Sequence, residues 1–359
     1  MILSLNMKSK KNIVIKIGTT SIIKDGELNL NLMDSLASSI KEQKQNGFNF
    51  VIVTSGAVQL GANELNLDQR PTALKSLQVA SSVGQIALVN SFKEVFKTKD
   101  LKIGQVLMSK NVLEDRNQFV NTSEALNELI IQDIIPVINE NDIVATEELK
   151  FGDNDRLSAI VAIVVKAEKL VLITNQEGLF DSDPQKSKNA EKINYIEYDS
   201  EELADLIPTS ATGEGMGGFS TKIMASQMAG FSGIPTQIIT WSDDCIKKVV
   251  NNEDIGTFVK PSSKNVKLKK LWIAYGMPIV GRINIDDGAR DALIKDASLL
   301  SRGINKVNVP FESNDGIEIF DTSNALIGKG ISKISSKEFS LDKDAENKVV
   351  IHKDNLLIL

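Results

Sequence analysis

A lysine stands inside an otherwise apolar segment near the start of the chain. Residues 13–17 are Ile, Val, Ile, Lys and Ile, and Gly-Thr-Thr-Ser follows at 18–21. Burying the Lys16 ammonium in a strand costs free energy unless an anion meets it. A glycine followed by hydroxyl residues lets backbone amides approach an anion. The segment predicts a phosphate loop with Lys16 as its cation; the alternative is an edge-strand lysine that reaches water.

A glycine-rich segment later in the chain ends in a second lysine. Residues 212–222 read Thr-Gly-Glu-Gly-Met-Gly-Gly-Phe-Ser-Thr-Lys and open a predicted helix. Flexible amides, hydroxyls and Lys222 near a helix N-terminus suit a polyphosphate. No strand directly precedes the segment, which argues against a dinucleotide fingerprint. The alternative is an ordinary surface loop.

Small polar residues follow two other predicted strands. Ser55 lies in the Thr-Ser-Gly-Ala turn at 54–57, and Asn-Glu-Asn-Asp occupies 139–142. Asparagine and aspartate can bind both the ammonium and the carboxylate of an amino acid. We therefore consider these residues candidates for substrate binding. The alternatives are a helix cap at Ser55 and a polar surface loop at 139–142.

Two further polar segments flank the next predicted helix and strand. Gly-Asp-Asn-Asp at 152–155 opens a helix, where Asp155 could orient lysines or a cation or simply cap the helix. Thr174 and Asn175 end a predicted strand, where a nucleotide base or ribose could bind. Two lysines and one organising aspartate are what phosphoryl transfer requires, because fixed cations stabilise the charge on the transferring group.

Strand-like and helical stretches alternate over roughly the first 260 residues. The predicted strands are Asn12–Ile17, Asn49–Thr54, Lys102–Met108, Ile134–Ile138, Lys169–Thr174 and Thr236–Thr240. The predicted helices are Leu32–Gln45, Thr72–Lys97, Arg116–Gln132, Asp155–Lys166 and Thr221–Ser232. This alternation predicts an α/β fold with an open, mainly parallel sheet and helices on both faces. Ligands of such sheets bind outside the carboxyl ends of the strands, where the polar segments lie.

The pattern changes after residue 260. A polar stretch at 256–270 reads as a linker, and short apolar runs follow it. The predicted strands there are Leu271–Ala274, Pro278–Ile285, Gly316–Phe320 and Lys348–Ile351, with one helix at Gly288–Ser301. We therefore predict two domains, residues 1–260 and a small, mostly β domain at 268–359.

Composition excludes several classes of protein. The 359 residues contain one cysteine and one histidine, which excludes an intrachain disulfide and a two-histidine metal site. The net charge of −6 argues against general nucleic-acid binding, which needs a basic face. No apolar run approaches the roughly 20 residues of a membrane span. We expect a cytoplasmic protein.

Taken together, the segments resemble the amino-acid kinase family. The resemblance rests on Lys-Ile-Gly-Thr at 16–19, Thr-Ser-Gly-Ala-Val at 54–58, Asn-Glu-Asn-Asp at 139–142, Gly-Asp-Asn-Asp at 152–155 and Gly-Gly-Phe-Ser-Thr-Lys at 217–222. It is most specific for the family members that phosphorylate glutamate. Lys-Leu-Trp-Ile-Ala at 270–274 and Ile-Asp-Asp-Gly-Ala at 285–289 resemble the PUA domain appended to them.

The resemblance implies transfer of the ATP γ-phosphoryl to the side-chain carboxylate of L-glutamate, the first step of proline synthesis, with Mg²⁺ accompanying ATP and no protein metal site. It implies catalytic roles for Lys16, Lys222 and Asp155 and glutamate binding by Ser55, Asp142, Asn154 and Asn139. It implies ATP binding by Lys16, Thr174, Asn175, Met216, Gly217, Gly218, Phe219, Ser220, Thr221 and Lys222. The family often has Asp at the position of Asn175 and Met at that of Phe219, so nucleotide preference stays open.

The resemblance also suggests partners. They are a second copy of the chain, in a dimer or tetramer, and the next enzyme of proline synthesis. Three other functions remain open: a sister kinase for another carboxylate substrate, a regulatory protein without activity, and RNA binding through the PUA domain. The 13 basic and 13 acidic residues from Leu268 onward argue against RNA binding.

Overall fold

A computed structural model describes residues 10–109, 112, 115–144, 154–182, 187, 189–206, 218–263, 268–339 and 346–358. The chain divides near residue 265 into two compact units. Among the described residues, no helix combines the length and the hydrophobicity needed to cross a membrane.

The first unit is an α/β unit whose elements alternate along the chain. In chain order they are β1 (Lys11–Ile17), α1 (Thr19–Ile22), β2 (Ile23–Lys24), β3 (Glu27–Leu28), α2 (Leu30–Gln45), β4 (Phe48–Thr54), α3 (Ala57–Glu64), α4 (Leu74–Lys97), β5 (Lys102–Met108), α5 (Arg116–Ile131), β6 (Ile134–Glu140), α6 (Asn154–Val164), β7 (Lys169–Thr174), β8 (Leu179–Phe180), β9 (Lys192–Ile193), β10 (Tyr195–Glu197), α7 (Glu201–Asp205), α8 (Gly218–Phe231), β11 (Thr236–Thr240), α9 (Cys245–Val250) and β12 (Thr257–Lys260).

An eight-stranded sheet in the order β10-β12-β11-β7-β1-β4-β6-β5 forms the centre of this unit. Its strand pairs are parallel except β11 with β12. The predicted fold class is therefore confirmed. The central position of β1, between β4 and β7, also rules out the edge-strand alternative for Lys16.

Both faces of β1 are covered. Ile13, Ile15 and Ile17 belong to the core that β1 shares with α2, α4 and α9. Successive side chains of a strand point to opposite faces, so Lys16 lies on the other face, where α6 packs. The alternation of the strand thus directs one charged side chain toward one helix.

The second unit is a small β unit with its own core. Its elements are α10 (Leu268–Leu271), β13 (Ile279–Ile285), α11 (Asp287–Ile294), β14 (Leu299–Leu300), β15 (Ile304–Val309), β16 (Gly316–Phe320), β17 (Leu326–Ser332) and β18 (Val349–Ile358), in a sheet of order β14-β18-β17-β16-β13-β15. Two predictions are wrong here. Residues 271–274 were predicted as a strand but are helical. The prediction failed because a short apolar run does not distinguish a strand from a helix. The helix predicted to reach Ser301 ends at Ile294, and β14 follows.

Helices α3 and α4 approach each other unusually closely. A Cβ placed on Gly84 would lie 2.0 Å from the carbonyl oxygen of Ala57, and one on Gly61 would lie 1.7 Å from that of Ala80. Only glycine permits this contact. Since α3 begins directly after Ser55 and Gly56, the contact fixes α4 relative to the end of β4.

We predict that Gly84→Ala lowers the free energy of unfolding by at least about 2 kcal/mol, because the two backbones must separate. Without this contact, alanine in a helix would be stabilising. Urea unfolding followed by Trp241 fluorescence in a Trp272→Phe background measures the first unit. Ser82→Ala, at an exposed position of the same helix, should stay within about 0.5 kcal/mol of its parent. An equal loss in both variants would contradict the prediction.

Candidate active site

Three charged side chains meet on one face of the sheet, and two of them are lysines. Lys16 Nζ lies 2.6 Å from Asp155 Oδ1, and Lys222 Nζ lies 3.2 Å from Asp155 Oδ2. Thr221 Oγ1 donates a hydrogen bond of 2.7 Å to the same Oδ2. Lys16 and Asp155 are 5% and 3% exposed, so this lysine cluster is nearly dry.

Each member of the lysine cluster comes from the end of an element. Lys16 lies next to the last residue of β1 and Asp155 in the first turn of α6. Thr221 ends the first turn of α8, and Lys222 directly follows it. Gly18 follows β1, and a Cβ there would lie 3.6 Å from Lys16 Nζ. Residue 18 thus lies directly beside this ammonium.

The electrostatics of the lysine cluster favour an anion. Burial by itself raises the pKa of Asp155, but the attraction of Lys16 and Lys222 outweighs it and holds the pKa below its usual value. Asp155 is therefore ionised at neutral pH. Counted over the three charged side chains, two cations face one anion, and the surplus positive charge suits a phosphoryl group in a site with little water.

A network of side-chain amides lies beside the lysine cluster. Asn154 Nδ2 shares its two hydrogens among three acceptors, the Thr54 carbonyl oxygen at 2.6 Å, Ser55 Oγ at 2.9 Å and Asn139 Oδ1 at 2.9 Å. Asn154 Oδ1 is buried and has no hydrogen-bond partner among the described residues. The alternative of Ser55 as a helix cap is wrong, since Gly56 caps α3 without a side-chain bond.

This network lines a pocket. Ser55, Asn139, Asp142 and Asn154 contribute to a space of about 470 Å³, counted with its solvent-open part, which Thr19, Gly56, Ala57, Val58, Gln59, Arg70 and Glu140 also line. Asn139 and Glu140 were predicted to follow the strand, but β6 includes both and buries them. The side-chain amide of Asn139 finds partners there and needs no water.

Helix α4 provides contacts that the sequence did not reveal. Gln85 Oε1 accepts a hydrogen bond of 2.7 Å from Asn139 Nδ2, and Ser81 Oγ donates to Asp142 Oδ2. Their helical spacing resembles an ordinary solvated face, so no sequence signal distinguished them. Arg70, which also lines the pocket, was missed for a different reason: one charged residue in a polar loop resembles any solvated surface residue.

The residues predicted to bind ATP are only partly described. Thr174 ends β7, two residues beyond Leu172, which is paired with Lys16 in the sheet. Its Oγ1 donates to Asn175 Oδ1 at 3.3 Å, and Asn175 is exposed. Gly218, Phe219 and Ser220 form the start of α8, where Ser220 is buried. Met216 and Gly217 lie outside the described residues.

Comparison with known proteins identifies the class of fold. Residues 11–240 match the amino acid kinase family, and residues 281–351 match the PUA domain. Carbamate kinase from Giardia lamblia, solved with AMP-PNP, has a TM-score of 0.53 and 14% identity, covering 71% of this chain and 99% of that one. The chain belongs to the amino acid kinase family.

Relatives that match almost the whole chain show which group within this family the chain resembles. Glutamate 5-kinase of Haemophilus influenzae is 38% identical over 367 residues, covering 98% of this chain and 100% of the relative. That of Prochlorococcus marinus is 36% identical, with 97% and 99% covered. That of Thermoanaerobacter is 34% identical, with 97% of each covered. Within its family, the chain therefore groups with the glutamate 5-kinases.

We predict that Asp155→Asn is most destabilising at neutral pH. The lowered pKa means that the ionised carboxylate stabilises the fold above the ordinary value of 3.8, and that this contribution is lost as the pH falls through the folded-state pKa. At pH 7, removing one partner of buried charges costs about 3 kcal/mol.

Urea unfolding from pH 7 to pH 3, read through Trp241, tests this. The gap between parent and Asp155→Asn should narrow at the acid end. Asp100→Asn is the matched control, because Asp100 pairs with Lys41 in an exposed position. A gap that stays constant with pH would contradict the role of the lowered pKa.

Proposed function

We propose that the chain transfers the γ-phosphoryl group of ATP to the side-chain carboxylate of L-glutamate, giving γ-glutamyl phosphate for proline synthesis. The observation that carries the proposal is the adjacency of Asn154 and Asp155. Asn154 belongs to an amide-lined pocket, and Asp155 pairs with two buried lysines. The site for the substrate carboxylate and the site for the phosphoryl group therefore meet at one helical turn.

The transfer needs positioning and charge stabilisation. A glutamate side chain is already ionised at neutral pH, because its ordinary pKa is about 4.3, so no general base is required. Lys16 and Lys222 stabilise the negative charge on the transferring phosphoryl group. Asp155 holds the two ammonium groups on opposite carboxylate oxygens and thereby fixes their separation.

Glutamate binds in the amide-lined pocket. Ser55, Asn139 and Asn154 offer hydrogen bonds, and Asp142 offers a negative charge to the substrate ammonium. An ammonium hydrogen is also the kind of donor that Asn154 Oδ1 lacks. Sister kinases for other acids would have to satisfy the same groups, so the choice of acid tests the assignment directly.

ATP binds at the C-terminal end of β7 and the N-terminal end of α8. Thr174 and Asn175 contact the nucleoside, and the segment 216–222, with Lys16, contacts the phosphates. Among the described residues, no three Asp, Glu, His or Cys side chains are grouped as metal ligands. Mg²⁺ neutralises phosphate charge and keeps several water ligands, so we propose that phosphate and water oxygens bind it here.

We predict that L-glutamate with ATP and Mg²⁺ yields a hydroxamate when hydroxylamine is present, since hydroxylamine traps acyl phosphates. L-aspartate and N-acetyl-L-glutamate should yield none. Lys16→Ala and Lys222→Ala should each lower the rate at least about 100-fold, the usual loss when one stabilising group is removed. Lys11→Ala is the matched control, because Lys11 lies in the same strand and pairs with Glu168 on the surface.

Other outcomes assign other functions. Hydroxamate with a different acid would overturn the substrate but keep the kinase. No product with any acid would favour a regulatory or RNA-binding protein. In that case, tRNA retention at two salt concentrations distinguishes the two, because true binding weakens steeply with salt. Docking of the next pathway enzyme and a cytoplasmic location stay predictions.

We further propose that the chain forms a homo-oligomer through the β5 side of the sheet. In the described sheet, β5 is an edge strand, and an edge offers unpaired backbone groups to another chain. Large apolar side chains are exposed on and beside it, namely Val79, Ile86, Leu107 and Ile143.

We predict a dimer or tetramer by light scattering after gel filtration, and a shift toward monomer in Ile86→Asp. Ile294→Asp is the matched control, because Ile294 in the second unit is similarly exposed, at 62% against 67% for Ile86. A monomeric parent, or equal shifts in both variants, would contradict this interface.

A further inference from the structure

One face of α4 holds the segment that ends β6. Gln78, Ser81 and Gln85 are three and four residues apart, so they share a helix face. Gln78 Nε2 donates to the Ile143 carbonyl oxygen at 3.1 Å, while Ser81 and Gln85 contact the side chains of Asp142 and Asn139. Helix α4 thus contacts two of the four side chains proposed to bind glutamate, Asn139 and Asp142.

The amide orientations in this network depend on one another. The Thr54 carbonyl oxygen can only accept, so the Asn154 amide must present its Nδ2 to it. The same Nδ2 donates to Asn139 Oδ1, which also accepts from the backbone N–H of Glu140 at 2.8 Å. Asn139 Nδ2 therefore faces away from Asn154, and it requires a hydrogen-bond acceptor on that side.

Gln85 provides that acceptor, at 2.7 Å from Asn139 Nδ2. Its position is fixed by the neighbouring Gly84, through which α4 contacts α3. A shorter or apolar side chain at position 85 would leave the Asn139 amide without a partner on that side. Asn139 would then be held only through the two contacts to its Oδ1, so its side chain would be positioned less firmly against Asn154.

We propose that Gln85 is a positioning residue for glutamate binding, which acts through Asn139 by holding its amide in the orientation that Asn154 and the Glu140 N–H require. The role rests on the proposed function, because it assigns Gln85 to the glutamate half of that site. The role requires a hydrogen-bond acceptor at position 85, and a side chain other than glutamine that supplies one should also fulfil it. It also places Gln85 outside the ATP half, so its effect is confined to one substrate.

Three variants and steady-state kinetics by the hydroxamate assay test this role. Gln85→Met removes the acceptor with little change in size, and we expect the KM for glutamate to rise at least tenfold while the KM for ATP stays within twofold. Gln85→Glu retains an acceptor oxygen, and its KM for glutamate should stay within threefold of the parent. Gln132→Met, the same substitution at an exposed helix end, should change neither constant.

A double-mutant cycle with Asn139→Ala separates positioning from general stability. In the Asn139→Ala background, Gln85→Met should change the KM for glutamate less than twofold, because the contact it removes is already absent. Independent, multiplying effects would overturn the proposal. So would Gln85→Met and Gln85→Glu variants with the same KM, or a KM for ATP that rises in parallel.

The outcomes also separate this proposal from the function on which it rests. A parent protein that gives hydroxamate with glutamate, together with an unchanged Gln85→Met, overturns the role of Gln85 alone. A parent that gives no hydroxamate overturns the proposed function and, with it, the assignment of Gln85 to glutamate binding. If Gln85→Met does not fold, the Gln85→Glu variant still decides: a KM for glutamate within threefold of the parent would support the proposal, and a tenfold rise would overturn it.

Discussion

The carboxylate of Asp155 is ionised in a nearly dry environment, and it is stable there because an ammonium group lies on each of its oxygens. Burial and the lysines act on its pKa in opposite directions, and the lysines prevail. Three elements must therefore meet at one point: the end of β1, the first turn of α6 and the start of α8. This requirement selects the face of the sheet on which α6 and α8 pack. The rest of the first unit is built around that meeting point.

The second half of the site depends on the same helical turn. Consecutive residues of a helix project about 100° apart. Asn154 can thus reach the ends of β4 and β6, while Asp155 reaches β1 and α8. A substrate carboxylate bound beside Asn154 and a phosphoryl group bound by the lysines of Asp155 are therefore held at a fixed separation. Fixing that separation is the main contribution that positioning makes to a transfer reaction.

The sequence predicted the parts of this arrangement that depend on local pattern. The sheet followed from continuous Val and Ile runs, and Lys16 stood out because a charge in a buried strand has few explanations. Gln85 and Ser81 could not be found, since their polarity has meaning only once β6 lies against α4. Residues 271–274 were misassigned as a strand because four apolar residues show no period that separates strand from helix.

Helix α4 shows how local stability and site geometry differ. A glycine within a helix is less stable than alanine by up to about 1 kcal/mol, so Gly84 is locally unfavourable. Gly84 instead permits close packing of α3, whose backbone occupies the space that a Cβ at position 84 would need. That approach seats α4 deeply enough for Gln85 to contact Asn139. Gly84 thus weakens α4 locally but lets the adjacent Gln85 contact Asn139. The position of the Asn139 amide in the pocket therefore depends on a contact between the backbones of α3 and α4.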